Sequence, residues 1–240
     1  MCPKKFEYIY IDKIRPETSE AAQRGIEVHE FCNLFYDNIT FVDEEFVVNP
    51  NFLDKWYTES LPESVEMFKT FQVFERERWQ ICKEMRPNDP QSLFIPLLRE
   101  KKYFSDKLNQ VTIIDRLDLR PDGNYTLVEI KTGRYNPKPW KLTELRRELT
   151  FEKRTAETTP EFYENFPNKI VDFVVFYPRS ADILNESFNM RTQKALEKVL
   201  VRMRHDIKLG RYPCNVQYHC RFCNFPLVCS MDHERKLRVK

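Results

Sequence analysis

The chain has 240 residues, of which 41% are hydrophobic and 32% are charged, and its formal net charge is +2. This composition is typical of a folded globular protein with one large domain, or with a domain that carries an insertion. The sequence contains no apolar run of about 18 residues, which argues against a membrane-spanning helix, and the small net charge does not by itself indicate a nucleic-acid partner.

The first predicted helix covers residues 17–38, where Thr18 or Ser19 can cap the N-terminus. Small and apolar residues recur there at helical spacing and predict a buried stripe: Ala21, Gly25, Val28, Cys32 and Phe35. We expect Gly25 to let another element approach the helix closely. His29 lies at the border of the stripe, where a lone histidine is usually structural.

Two further helices are predicted between residues 51 and 85, with a break at Leu61–Pro62. We interpret residues 51–90 as a helical insertion. Its core is expected to contain three aromatic side chains: Phe68, Phe71 and Trp79. The segment that follows, residues 92–104, is predicted to form a strand.

The clearest element is a β-hairpin over residues 111–133. Its two strands flank Pro121–Gly123, and a three-residue loop of this kind has its glycine in the left-handed conformation. In that register the numbers of paired residues add to 244, so Asp115 lies opposite Glu129. A two-residue Asp-Gly turn is the alternative, and it would place Asp115 opposite Ile130 instead.

The hairpin also brings charged side chains together. Glu129 and Lys131 are two residues apart and therefore project from the same face of a strand. Opposed residues have Cβ atoms roughly 4.5–5.5 Å apart, and two carboxylates at that distance destabilise the sheet unless something neutralises them. A divalent cation does so with oxygen ligands, and Lys131 can then orient water or stabilise negative charge. An ordinary surface ion pair is the other interpretation.

After the hairpin we predict a proline-containing loop, a helix over 142–157, a buried strand over 169–178 and a helix over 192–210. The order of elements predicts an α/β or α+β domain with a central mixed sheet. Residues 191–211 are rich in bases and could follow a phosphate backbone, although a solvated helix face explains them equally well. Tyr135 and Trp140 are candidates for stacking on bases, and Trp140 could instead cover the sheet.

The order of these motifs resembles that of the PD-(D/E)XK nucleases. His29 in "QRGIEVHEF", Asp115 in "IIDRLD", and Glu129 with Lys131 in "EIKTG" are similar to the motifs of the RecB-like branch. That branch includes the nuclease domains of RecB and AddB and a CRISPR-associated Cas exonuclease of spacer acquisition. The small residue that often precedes the aspartate by two places is Ile113 here.

The resemblance implies a restriction-endonuclease-like core and hydrolysis of DNA phosphodiester bonds with Mg²⁺ or Mn²⁺. It implies that Asp115, Glu129 and the Ile130 carbonyl hold the cation, with His29 as a further ligand. An exonuclease of single-stranded DNA or DNA ends, acting in repair, recombination or CRISPR adaptation, is the implied function. The alternative is a catalytically weak DNA-binding subunit of a repair or CRISPR adaptation complex.

One helix departs from the family pattern. The family has a glutamine and, four residues later, a tyrosine after the glutamate–lysine strand. Here the best-matching positions are Glu148 and Glu152. This difference favours the weakly catalytic alternative, whereas the intact aspartate, glutamate and lysine favour the enzyme.

Seven cysteines occur in the chain. The N-terminus lacks the apolar core of a secretory signal, so we expect a cytoplasmic protein whose reduced thiols serve metal binding or catalysis rather than disulfides. Four of them have the spacing C-x5-C-x2-C-x5-C, which could bind zinc: Cys214, Cys220, Cys223 and Cys229. We expect Cys32 and Cys82 to be small buried hydrophobic residues.

The family resemblance implies a different ligand set. Iron–sulfur members of the branch have one cysteine ahead of the histidine helix and three near the C-terminus. The matching residues here are Cys2, Cys220, Cys223 and Cys229, which would hold a [4Fe–4S] cluster. We therefore expect residues 1–240 to form a single nuclease domain, in which residue 2 and residues 212–240 make up the iron–sulfur region.

Overall fold

The computed structural model describes residues 2–15, 18–214, 220, 223–225 and 227–229. The chain divides into two compact units, Glu20–Leu196 and a smaller unit of Met1–Ser19 with Glu197–Lys240. Within the described ranges, none of the helices combines the length and apolarity that crossing a membrane requires.

The helices, in chain order, are α1 (Pro3–Phe6), α2 (Glu20–Phe35), α3 (Pro50–Glu59), α4 (Pro62–Met85), α5 (Gln91–Phe94), α6 (Pro139–Glu157), α7 (Pro160–Asn165) and α8 (Met190–Lys208). The strands are β1 (Ile39–Val42), β2 (Glu45–Val48), β3 (Leu98–Ser105), β4 (Gln110–Leu119), β5 (Tyr125–Ile130), β6 (Ile170–Tyr177) and β7 (Asp182–Ser187). A π-helical segment, Glu7–Ile11, follows α1, and a 3-10 turn, Tyr36–Asn38, follows α2.

The centre of the larger unit is a five-stranded sheet in the order β3-β4-β5-β6-β7. Neighbours are antiparallel except β5 and β6, which are parallel. Parallel neighbours need a crossover connection, and α6 and α7 lie in that connection. This mixed sheet with flanking helices confirms the predicted α/β architecture and is consistent with a restriction-endonuclease-like core.

The hairpin of β4 and β5 has the predicted register. Arg116 pairs with Val128 and Leu119 pairs with Tyr125, so the numbers of paired residues add to 244. Gly123 has φ of +83°, and its amide donates a hydrogen bond to the carbonyl oxygen of Arg120 at 3.0 Å. The three-residue loop is confirmed, and the two-residue alternative is wrong.

The predicted helices are also present, with small differences. Helices α3 and α4 occupy the predicted insertion, and its three aromatic residues are buried. The buried stripe of α2 comprises Val28, Phe31, Cys32 and Phe35, whereas Ala21 is exposed because the first turn extends beyond the core. A Cβ added at Gly25 would lie 3.9 Å from Oγ1 of Thr132, which is ordinary van der Waals contact, so the approach does not require glycine.

The predicted strand over 92–104 is correct from Leu98 onwards, but its first residues form α5. A short apolar run cannot be assigned to strand or helix by periodicity. Leu93 and Phe94 of α5 are buried in the core that also contains the aromatic residues of α2 and α4.

Both faces of β5 are covered, and all six of its residues are buried. Ile130 belongs to the core formed with α2 and α4, whereas Leu127 belongs to the core formed with α6. The alternation of β4 is interrupted near Asp115, because Ile114 and Leu117 share the α6-side core although they are three residues apart. The alternation of side chains between the two faces of the sheet is therefore broken at Asp115, the residue predicted to bind metal.

Candidate active site

His29 and Asp115, predicted to share a site, lie side by side. Nδ1 of His29 is 3.4 Å from Oδ1 of Asp115 and 3.0 Å from Oε1 of Glu100. These side chains come from α2, β4 and β3, and their ligand atoms all lie within 4.8 Å of one another. They line one small cavity together with Ile130. An imidazole and two carboxylates at this spacing form a donor set that can hold a divalent cation.

Glu100 was not predicted. It lies between the pairs Arg99–Arg116 and Lys101–Ile114 of the β3–β4 ladder but is not itself paired, and its φ is +45°. Left-handed backbone in a residue other than glycine costs of order 1–3 kcal/mol and is concentrated at functional sites. In the sequence Glu100 is one charge among several in "LREKKYF", so periodicity gave no signal for it.

Asp115 also contacts the end of β5. The β4–β5 ladder ends at Arg116 and Val128, and beyond it Oδ2 of Asp115 accepts the amide hydrogen of Ile130 at 2.9 Å. The amide of Lys131 donates to the carbonyl oxygen of Phe176 at 2.9 Å, which fixes this backbone against β6. The carboxylate therefore lies beside the residue whose carbonyl is the predicted fourth ligand.

Glu129 and Lys131 project from one face, as predicted, and they bond to each other. The ammonium of Lys131 donates to the carboxylate of Glu129 and to Oε1 of Glu148, the latter at 3.1 Å. Glu129 is buried, whereas Glu148 is exposed at the surface of α6. The ordinary surface ion pair is therefore not an adequate description of Glu129 and Lys131.

A second group of carboxylates contains Glu129, Glu148 and Glu152, whose ligand oxygens all lie within 4.8 Å of one another. Glu152 is only 8% exposed. Its Oε2 has no hydrogen-bond partner among the residues that the structure describes. The predicted site residues thus fall into two neighbouring groups, one around His29 and Asp115 and one around Glu129.

The first group favours a positive charge on the imidazole. Burial lowers the pKa of His29, but the hydrogen bonds that the imidazole donates to Asp115 and Glu100 outweigh burial and raise that pKa to about 10. The pKa shift means that the two carboxylates stabilise a cation at this place. A metal ion would supply the same positive charge.

The second group is short of positive charge. Burial and the negative charge of Asp115 raise the pKa of Glu129 to about 8. Burial and the charge of Glu129 raise the pKa of Glu152 to about 10. Burial lowers the pKa of Lys131, but the carboxylates of Glu129 and Glu148 outweigh it and raise that pKa above its ordinary value.

The smaller unit brings cysteines together. Sγ of Cys214 lies 3.6 Å from Sγ of Cys229, and the amide of Cys223 donates to the carbonyl oxygen of Cys220 at 3.3 Å. Burial and a hydrogen bond with Cys229 raise the pKa of Cys214 to about 11, and Cys2 and Cys220 act in the same direction. Cys214, which the family pattern leaves out, therefore lies among the predicted ligands.

The buried cysteines and the candidate DNA contacts are also placed. Cys32 and Cys82 are buried, as predicted. Trp140 is 53% exposed and does not cover the sheet, whereas Tyr135 packs against Tyr177 with ring centroids 5.2 Å apart. Exposed bases occupy α8 and the residues after it: Arg191, Lys194, Lys198, Arg202, Arg204, Lys208 and Arg211.

Residues 1–230 match the family model described as "PD-(D/E)XK nuclease superfamily". The matched range contains every residue of both carboxylate groups and all seven cysteines. No curated protein is significantly similar to the chain in sequence.

Proposed function

The chain belongs to the PD-(D/E)XK nuclease superfamily, and we propose that it is a metal-dependent exonuclease that hydrolyses single-stranded DNA or DNA ends. Members of this superfamily are nucleases that use divalent metals such as Mg²⁺ or Mn²⁺, and they bind nucleic acid. The exonuclease activity, the substrate and the assignment of each residue are our proposal.

The observation that carries the proposal is the convergence of His29, Glu100 and Asp115 within 4.8 Å, with Asp115 bonded to the backbone of Ile130. The donor set fits a divalent cation, because oxygen ligands suit Mg²⁺ and the imidazole suits the softer Mn²⁺. We assign the cation to His29, Asp115, Glu129 and the Ile130 carbonyl. We assign to Glu100 the role of orienting His29, because its Oε1 lies 3.0 Å from Nδ1 of the imidazole. A cation bound there lowers the pKa of a bound water and polarises a phosphoryl oxygen.

Lys131 has the second role in this proposal. Its ammonium is held between Glu129 and Glu148, so its position is fixed rather than free to rotate. From there it donates a hydrogen bond to the attacking water or to an oxygen of the phosphate, where negative charge develops. We expect the exposed bases of α8 to bind the phosphate backbone and Trp140 to stack on a base.

A nuclease assay on single-stranded DNA with Mn²⁺ tests the function. Wild-type protein should cleave, EDTA should abolish cleavage, and both Asp115→Asn and Lys131→Ala should reduce it strongly. Lys69→Ala is the matched control, because Lys69 is a more exposed lysine that pairs with Glu66 on α4 rather than with a member of either carboxylate group. Equal cleavage by wild type and Lys131→Ala would contradict the assignment.

The second candidate function is a catalytically weak DNA-binding subunit of a repair or CRISPR adaptation complex. Glu148 and Glu152 favour it, because they replace the glutamine and tyrosine of the family pattern. The same assay separates the two functions. DNA binding by wild type without any cleavage would leave the binding role alone.

We further propose that the chain belongs to the RecB-like branch and carries a [4Fe–4S] cluster on Cys2, Cys220, Cys223 and Cys229. Cysteines from both ends of the chain belong to one compact unit, and Sγ of Cys214 lies 3.6 Å from Sγ of Cys229. This donor set fits a group with four thiolate ligands. A pathway in repair, recombination or CRISPR adaptation and a cytoplasmic location remain predictions.

The cluster is tested by purification without oxygen. The wild-type protein should be brown and contain iron and inorganic sulfide, and Cys220→Ala should lose both. A colourless protein with stoichiometric zinc would contradict the cluster and favour the zinc site.

A further inference from the structure

We propose that Glu129, Glu148 and Glu152 form a second divalent-cation site, on the α6 side of the hairpin and distinct from the centre at His29 and Asp115. The inference rests on the proposed function only through Glu129, which both centres would share. A cation can bind the second site whether or not the chain cuts DNA.

The geometry of the three carboxylates is that of a ligand set. Glu148 and Glu152 are four residues apart on α6, so they lie on one face of the helix, one turn from each other. Glu129 projects towards them from β5, and one oxygen of each carboxylate lies within 4.8 Å of the other two. Two rigid elements therefore hold three hard oxygen donors around one point.

Glu152 is the independent observation that points to a ligand. Glu152 is only 8% exposed, and its Oε2 is shielded from solvent and has no hydrogen-bond partner among the residues that the structure describes. A buried carboxylate without a partner is strongly unfavourable, since it has lost its water and gained nothing in return. An oxygen of this carboxylate lies within 4.8 Å of an oxygen of each of the other two. A cation bound among the three would therefore give Glu152 the partner that it lacks.

The charge of the group leads to the same conclusion. Three carboxylates face one ammonium, that of Lys131, which already bonds to Glu129 and Glu148. When all are ionised the group therefore has two uncompensated negative charges, which one divalent cation would neutralise.

The ligands select the class of metal. All three donors are carboxylate oxygens, with no imidazole or thiolate among them, and such sets suit Mg²⁺ and Mn²⁺ rather than zinc. Three protein ligands leave open positions on a six-coordinate ion, which water or a phosphate oxygen can fill. The positions of Glu148 and Glu152 are those at which the chain departs from the family pattern, so the second site is a property of this chain.

Mn²⁺ binding to the intact chain tests the proposal. The protein is first stripped of metal and then titrated with Mn²⁺, and electron paramagnetic resonance measures the free Mn²⁺, which gives the number bound per chain. We compare wild type with Glu152→Gln, which keeps the shape of the side chain and removes its charge. Asp115→Asn removes the first centre. Glu144→Gln is the matched control, because Glu144 is an exposed residue of the same helix that pairs with Lys141. Circular dichroism establishes that each variant is folded.

We expect two Mn²⁺ per chain in wild type and in Glu144→Gln, and one in both Glu152→Gln and Asp115→Asn. Two Mn²⁺ in Glu152→Gln would overturn the second site. One Mn²⁺ in wild type that is lost in Asp115→Asn but kept in Glu152→Gln would also overturn it, while leaving the proposed function intact. A single Mn²⁺ in wild type that is lost in Glu152→Gln but kept in Asp115→Asn would support the second site and contradict the first. No binding by wild type would overturn both.

Discussion

Oδ2 of Asp115 accepts the amide hydrogen of Ile130 at 2.9 Å, where the ladder between β4 and β5 stops. The carboxylate thus takes the place of a strand carbonyl in the hydrogen-bonding pattern. Because its other oxygen faces His29, one side chain closes the hairpin and forms part of the candidate metal centre. The position of the centre therefore depends on the register of the hairpin, and the register depends on the loop at Gly123.

Glu100 is expected to position His29 in this centre. Its Oε1 lies 3.0 Å from Nδ1 of His29. Glu100→Gln should therefore hold the imidazole less firmly in its orientation and lower its basicity. Losing a partner of this kind typically lowers metal affinity about 10–100-fold. We expect Mn²⁺ affinity at the first centre to fall by that factor, and high Mn²⁺ to restore cleavage. Titration of nuclease activity against Mn²⁺ measures both effects.

The control for Glu100→Gln is Glu161→Gln, which removes an exposed carboxylate paired with Lys101 at 2.9 Å. It should leave the Mn²⁺ dependence unchanged. A loss of maximal rate in Glu100→Gln that excess Mn²⁺ does not restore would contradict a positioning role.

The loop at Gly123 should be sensitive to substitution. Gly123 has φ of +83°, and forcing an L-residue into this region costs roughly 1–2 kcal/mol. We expect Gly123→Ala to lower the free energy of unfolding by about that amount, measured by urea denaturation. Gly133→Ala is the control, because a Cβ there meets no atom within 4 Å and the φ of Gly133 is not positive. Equal destabilisation by both substitutions would contradict the explanation.

The hairpin of β4 and β5 could be predicted because its loop carries the glycine that its conformation requires. The hairpin of β1 and β2 was missed for the opposite reason. Asp43 and Glu44 form its turn with φ of +48° and +65°, so no glycine or asparagine marks it in the sequence. The turn before β7 likewise has Ala181 at φ of +56°. Sequence patterns reveal a turn only when the residues that favour its backbone are present.

In the candidate site, too, some residues could be predicted from the sequence and others could not. Spacing and motif order predict His29, Asp115 and Glu129, because each belongs to a regular element, and they predict Lys131, which directly follows β5. Glu100 was missed because its role depends on an irregular backbone in β3. The group at Glu152 was also missed, because it depends on how α6 packs against β5, and that packing brings together residues more than twenty positions apart in sequence.

A buried ionic network supports the strand that carries Asp115. Nη1 of Arg116 lies 2.6 Å from Oε1 of Glu75, and Nη2 lies 2.8 Å from Oδ2 of Asp118. Nε of Arg78 lies 2.8 Å from Oε2 of Glu75. Glu75 is fully buried, and its carboxylate together with that of Asp118 balances two guanidinium groups that have little access to water.

Glu75→Gln should therefore destabilise the protein by about 3–5 kcal/mol at neutral pH, because it leaves buried charge uncompensated. Burial raises the pKa of Glu75, but the charges of Arg78 and Arg116 outweigh it and lower the pKa below its ordinary value of 4.5. An acid with a lowered native pKa stabilises the fold above its unfolded pKa, and this contribution is lost as the pH falls through the native value. The difference between wild type and variant should shrink below pH 4.5.

Urea denaturation at a series of pH values measures this difference. Glu77→Gln on the exposed side of α4 is the control, and it should change stability by less than about 0.5 kcal/mol. A difference between wild type and Glu75→Gln that grows as the pH falls would contradict the assigned role.

Cys214 distinguishes the two metal centres that the cysteines of the smaller unit could hold, a zinc site and a [4Fe–4S] cluster. The local spacing predicts a zinc site that includes Cys214, and its Sγ lies 3.6 Å from that of Cys229. Tetrahedral zinc with Zn–S bonds of about 2.3 Å would place its sulfur ligands at a similar separation. The family pattern instead uses Cys2 in place of Cys214. Because we assign the cluster to the family pattern, Cys214→Ala should keep its iron and its brown colour, whereas Cys2→Ala should lose both.

Metal analysis of the anaerobically purified variants measures the result, with Cys82→Ala as a control for removal of a buried thiol outside the smaller unit. Loss of bound metal in Cys214→Ala with retention in Cys2→Ala would assign the site to the four C-terminal cysteines. That result would contradict the iron–sulfur proposal without affecting the carboxylate groups, because their residues come from α2, β3, β4, β5 and α6 and include no cysteine.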